Sequence, residues 1–212
     1  MSAACGHHHD DLPTDSRPFR RALWAVIAIN ATMFAVEVAA GAAAGSRALL
    51  ADSLDFLGDS ATYAVSLLVL GAALAIRARV ALFKGISMAA LGLAVGLMTA
   101  LSVLGGATPE APVMGVVGAL ALLANLASVL LLLRFRDGDA NLRSVWLCSR
   151  NDAIGNVLVI LAAWVVAMTD SRWPDLVVAG IMTTLFLWGA AQVIRQARQE
   201  LAHARHGHAA QA

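Results

Sequence analysis

Six stretches of about 20 apolar residues follow one another along this chain, and a lipid bilayer is the solvent that calls for such a pattern. A helix rises ~1.5 Å per residue, so about 20 residues cross a hydrocarbon core ~30 Å thick. Cut at charges, glycines and prolines, the stretches cover residues 21–44, 48–76, 80–104, 113–133, 144–168 and 174–194. Composition agrees with this reading. Of the 212 residues, 59% are hydrophobic and 14% charged, whereas a soluble domain carries about 25% charged residues. The expected fold is an all-α membrane protein, a six-transmembrane-helix bundle over residues 21–194. A His-rich N-terminal tail (1–20) and a short C-terminal tail (195–212) flank it. Residues 1–18 are polar and lack the apolar core of a signal peptide. A net charge of +1 gives no sign of a nucleic-acid partner.

The basic residues orient the bundle. Of the 15 Lys and Arg, one side takes Arg17, Arg20, Arg21, Arg77, Arg79, Lys84, Arg134, Arg136, Arg143, Arg195, Arg198 and Arg205. The other side takes Arg47 and Arg172, and Arg150 falls within the fifth stretch. The excess places both termini in the cytoplasm of a multi-pass protein of the cell (inner, cytoplasmic) membrane. The connecting loops are short, which suits closely packed neighbours. Gly41 and Gly45, and Gly92 and Gly96, have GxxxG spacing. Close helix packing is the simpler reading and a dimer face the sharper one.

Acidic side chains break the apolar pattern at two places. Asp52, Asp55 and Asp59 stand in the second stretch, and Cys148 and Asp152 in the fifth. Ionisable groups inside a membrane are costly and mark ion or proton pathways. Asp55 and Asp59 are four residues apart and share one helix face; Asp52 extends that face, and Cys148 and Asp152 repeat the spacing. Asp152 lies nine residues past Arg143, ~14 Å from the cytoplasmic edge, and Asp55 and Asp59 lie ~10–17 Å from the opposite edge. Both sets therefore meet in one layer. Asp55, Asp59, Cys148 and Asp152 make four ligands from two helices, enough for a tetrahedral ion, and zinc accepts carboxylate and thiolate in such a shell. Asp52 is the less certain member, with a second role in helix packing open to it. Protons and a divalent ion compete for carboxylates held out of water, which is the competition an antiporter needs.

The run from Gly45 to Asp59 resembles the second transmembrane helix of the cation diffusion facilitators, with Asp55 and Asp59 in its [His/Asp]xxxAsp pair and Asp52 three residues upstream. The stretch from Cys148 to Asp152, followed by Asn156, fits the family's fifth-helix HisxxxAsp frame, and Asn30, Glu37 and Gly41 fit its first-helix pattern. The resemblance implies six membrane helices, a homodimer, and proton-coupled efflux of divalent transition metals: zinc first, with cadmium or cobalt as alternatives. It implies transport rather than enzyme chemistry. Two departures stand out. Cys148 replaces the family's His and tilts the site toward softer ions; Asn151 or water is the alternative fourth contact. The stretch after residue 195 is too short for the family's cytoplasmic domain, so the chain reads as a short member whose dimer forms through the membrane spans.

Other residues divide the function classes. His7, His8 and His9, beside Cys5, Asp10 and Asp11, form a metal-philic tail suited to capturing ions, or a His-rich end with no specific role; His203, His206 and His208 are a sparser version. Arg150 needs an acidic partner, and Glu37 is the expected one. Asn30, Asn125 and Asn156 are expected to bridge helices. A membrane metal sensor or scaffold would bind without flux. An exporter of organic cations would need more aromatics near the acids than Phe56 and Tyr63. No nucleophile–base pair supports an enzyme.

Overall fold

The computed structural model describes residues 17–68, 74–133 and 141–209, with side chains described at 20–65, 67, 75–132 and 152–203. Within them lie six helices: α1 (Arg17–Ala44), α2 (Arg47–Leu68), α3 (Leu74–Leu104), α4 (Ala111–Leu133), α5 (Asn141–Thr169) and α6 (Trp173–Ala209). Five of them, all but α2, hold an apolar stretch long enough to cross a bilayer. With 22 residues, α2 is ~33 Å long and matches the core thickness, but its three Asp lower its hydropathy. Packing compensates for that polarity, because α2 touches each of the other five helices. Outside the bundle, Leu93, Leu97, Leu101, Leu123, Leu130, Trp164 and Met168 present exposed apolar surface, as lipid contact requires. The core around α2 is built from Ala48, Leu49, Ala51, Met114, Val159, Ala179 and Met182.

Three helix connections gather at one end of the bundle. α1 ends in a left-handed turn at Gly45 (φ 70°), and Ser46 N–H donates back to the Gly41 carbonyl at 3.0 Å, the closure of a glycine C-cap. So Gly45 makes a turn rather than a helix contact. Beside it, Glu110 N–H donates to the Ala44 carbonyl at 3.0 Å. Arg172 Nη1 donates to the Gly106 carbonyl at 2.5 Å and ties the α5–α6 connection to the α3–α4 one. Arg47 Nε donates to Ser102 Oγ at 2.9 Å. Asp175, buried in the first turn of α6, accepts from Ser46 Oγ (2.6 Å), Arg47 N–H (2.8 Å) and Ala48 N–H (3.0 Å). A residue 127 positions away thus caps the N-terminus of α2.

Glycines set how closely α3 approaches α6. A Cβ on Gly92 would stand 2.8 Å from Leu187 Cδ2 and 3.1 Å from Phe186 Cδ1. One on Gly85 would stand 2.9 Å from Ile194 Cγ1, and one on Gly96 3.2 Å from Thr183 Cγ2. The Gly92–Gly96 pair is therefore spent on packing inside the chain. Overpacking such a seam costs about 1–3 kcal/mol, so Gly92→Val is expected to lower the thermal midpoint in detergent. Gly180→Ala, with open space around it, serves as the control and is expected to leave the midpoint unchanged or slightly raised.

Two boundaries differ from the sequence reading. The second stretch runs to residue 76 in the sequence reading, yet residues 74–76 belong to α3 (Leu74–Leu104); a continuous apolar run offers hydropathy no boundary there. Lys84, counted above among the basic residues that orient the bundle, lies ten residues inside α3. Its long stem can pass through apolar surroundings while the ammonium reaches a polar partner. Helix α6 also runs on past residue 194 to Ala209.

Candidate metal centre

The acids of α2 point in two directions. Asp52 is sealed, at 1% exposure, whereas Asp55 and Asp59 are half-buried. Helix α5 lies against α2 and presents Asp152, also half-buried. Among the acids acting on Asp152, Asp59 is felt most strongly, then Asp55, then Asp52. Three carboxylates from two adjacent helices are thus near enough for their charges to act on one another, and each keeps part of its surface exposed. Tyr63, one turn beyond Asp59, feels the charges of both Asp59 and Asp152. Gly155 opens the seam between the helices: a Cβ there would lie 3.7 Å from Asp52 Oδ1 and 3.0 Å from Met182 Cε.

The cluster is gathered but not closed. Among the described residues, no three His, Cys, Asp or Glu side chains are close enough together to hold an ion as they stand. The side chains of Cys148 and Asn151, proposed to finish the shell, lie outside the described residues, as do His7, His8 and His9. Arg150 also lies outside them, so its expected pairing with Glu37 has no described counterpart.

Asp52 belongs to a second, sealed network that the sequence reading did not assemble. With the Asn156 amide turned to suit its neighbours, its NH₂ donates to Asp52 Oδ2 at 2.7 Å and its carbonyl accepts from Asn125 Nδ2 at 2.7 Å. On the opposite side, the Glu37 carboxyl is close enough to Asp52 for their charges to act on each other, and neither of its oxygens has a hydrogen-bond partner among the described residues. Glu37 and Asn156 are both fully buried. The network joins α1, α2, α4 and α5 just beside the reachable acids. Asn125 and Asn156 do bridge helices as expected. Among the described residues Asn30 does not: its amide donates to the Val26 carbonyl of its own helix at 2.9 Å, and its Oδ1 has no partner there.

Lys84 is the other residue that sequence reasoning misplaced. Its ammonium, half-buried, donates to Thr62 Oγ1 one turn from Asp59, and among the described residues it is a cation that acts on the Asp59 carboxylate. A single Lys flanked by apolar residues from Val80 to Ile86 was the available signal; its weight in the loop count hid it.

Comparison with known proteins fits this geometry. The comparison with curated proteins gave no match. The family described as the cation efflux transmembrane domain matches residues 23–202, a range that takes in all six helices and every described acid of the cluster. With most of the chain covered, this protein belongs to the cation efflux, or cation diffusion facilitator, family, whose members carry divalent metal cations across membranes.

Proposed function

We propose that this cation efflux protein exports zinc, with cadmium or cobalt as alternative cargo, in exchange for protons. The observation that supports the proposal is that Asp55, Asp59 and Asp152, on two adjacent helices, are partly exposed and near enough for their charges to act on one another. Asp55, Asp59 and Asp152 hold the ion, with Cys148 as the fourth ligand. Carboxylate and thiolate together favour zinc and cadmium over manganese. The ion binds deprotonated carboxylates, so its affinity falls as pH falls, and an inward proton gradient unloads it on the far side. Rocking of the helices that carry the site would expose it alternately to the two faces. In this reading the termini are cytoplasmic, the membrane is the cell's inner membrane, and the His-rich N-terminal stretch delivers ions to the entrance. Dimerisation would run through the membrane helices by a surface other than the Gly92–Gly96 stripe, which faces α6.

The test is metal uptake into proteoliposomes with an imposed pH gradient, comparing zinc, cadmium and manganese for the wild type and Asp152→Ala. Flux of zinc or cadmium that depends on Asp152 and moves protons the other way is the expected result. Metal binding without flux of any ion would overturn the exporter reading.

A further inference from the structure

The reachable acids are faced by a built-in cation. Counting back along α3 from Leu104, Lys84 lies 20 residues in, while Asp59 lies 14 residues beyond Gly45 at the same end of the bundle. At ~1.5 Å per residue, the Lys84 backbone is therefore about 9 Å closer than Asp59 to the end that carries the chain termini. Its ammonium reaches back to Thr62 Oγ1, three residues after Asp59 on α2. There it acts on Asp59 and Asp59 acts on it. The anchor is a neutral hydroxyl, and Thr62 Oγ1 itself donates to the Gly58 carbonyl at 2.6 Å. Such a bond is weak beside a charge–charge contact in a low-dielectric interior. Four rotatable side-chain bonds give the ammonium room to move between the hydroxyl and the carboxylate.

We propose that Lys84 is a tethered competitor of the transported ion: its ammonium, anchored on Thr62, can swing onto Asp59 and neutralise it, and a divalent cation bound at Asp59 keeps it on Thr62. It is a positioning residue: it sets how tightly the site holds its ion and gives the unloaded acids a counter-charge. Because it stands toward the termini end, it acts on the approach from that side. This inference rests on the reading of Asp55, Asp59 and Asp152 as the ion site.

Two substitutions should shift affinity in opposite directions. Lys84→Met removes the competitor and is expected to tighten zinc binding about tenfold at neutral pH, while net zinc flux in proteoliposomes slows because release is slower. Thr62→Val removes the resting place and is expected to weaken zinc binding several-fold, as the ammonium settles on Asp59. Lys84→Arg keeps the charge and is expected to stay within about threefold of wild type. The measurement is zinc titration of the purified full chain by calorimetry. Unchanged or weakened binding in Lys84→Met would overturn the inference. So would tightened binding in Thr62→Val, should Lys84→Met fail to fold. If the wild type itself shows no zinc binding that depends on Asp152, the ion-site reading falls, and that result is distinct from a wild type that binds and a Lys84 variant that does not differ from it.

Discussion

Asp55→Asn is expected to cut metal flux at least 100-fold while leaving the metal-free protein as stable as the wild type or more so. Asp55 is half-buried at the reachable surface, and the charges that act on it, Asp52 and Asp59, are both of its own sign. An amide of the same shape removes that repulsion, so the thermal midpoint without metal should hold or rise. The same change removes a charged oxygen ligand. Loss even of groups that merely orient a ligand typically costs 10–100-fold in metal affinity, and loss of a ligand costs at least as much. Function and stability therefore move in opposite directions, as they do where a site is held strained for its task. Asp52→Asn is the contrast. Asp52 is sealed and held by Asn156, so its loss should change zinc affinity only several-fold. Flux assays with thermal melts in metal-free detergent check both. A lowered midpoint for Asp55→Asn with proportionate loss of flux would mean that Asp55 is a packing residue.

How much of this was legible in the chain depends on the kind of information. Hydropathy carries height in the membrane, so six segments and the common layer of Asp55, Asp59 and Asp152 could be read directly. It carries nothing about azimuth, the direction a side chain faces around its helix. The expected pairing of Glu37 with Arg150 lies outside the described residues, but the same blindness to azimuth leaves the nearness of Glu37 to Asp52 unread. A hairpin argument would have found it. Glu37 stands eight residues before Gly45 and Asp52 seven after, so two antiparallel helices turning at that glycine bring both to one height and side by side. The α1–α2 pair is tight at this end, where a Cβ on Gly41 would stand only 3.1 Å from Leu49 Cβ and Leu50 Cγ. Lys84 was missed for a related reason. Charge counting treats every Lys near a loop as orienting the protein, while a Lys flanked by apolar residues on both sides can instead enter the bundle.

Asp175→Ala is expected to be the most destabilising single substitution considered for the bundle, at about 3 kcal/mol or more, without touching the metal centre. Its carboxylate accepts from Ser46 Oγ and from the first two N–H groups of α2, at 2.6–3.0 Å, in a buried setting. Hydrogen bonds to a charged group contribute about 1.5–3 kcal/mol each, and a buried donor left unsatisfied costs about 1–3 kcal/mol. Negative charge at a helix N-terminus adds the dipole term. Ser46 can still serve as acceptor for Leu49 N–H at 3.1 Å, which limits the loss. For a chain of this size each kcal/mol corresponds to a ~2–4 °C shift in midpoint, so the midpoint should fall by about 10 °C. Asp175→Asn keeps one acceptor oxygen but turns an NH₂ toward donors, and should lose roughly half as much. Flux in Asp175→Ala should recover when assayed well below its lowered midpoint, whereas flux in Asp55→Asn should not recover at any temperature. That separation matters mechanically. The clamp holds the non-site end of α2 to α6 and fixes the height at which Asp55 and Asp59 meet Asp152. A variant that loses flux at low temperature despite an intact fold would show that α2 must be held at that height for the ion to be handled at all, making the clamp part of the transport cycle rather than of stability alone.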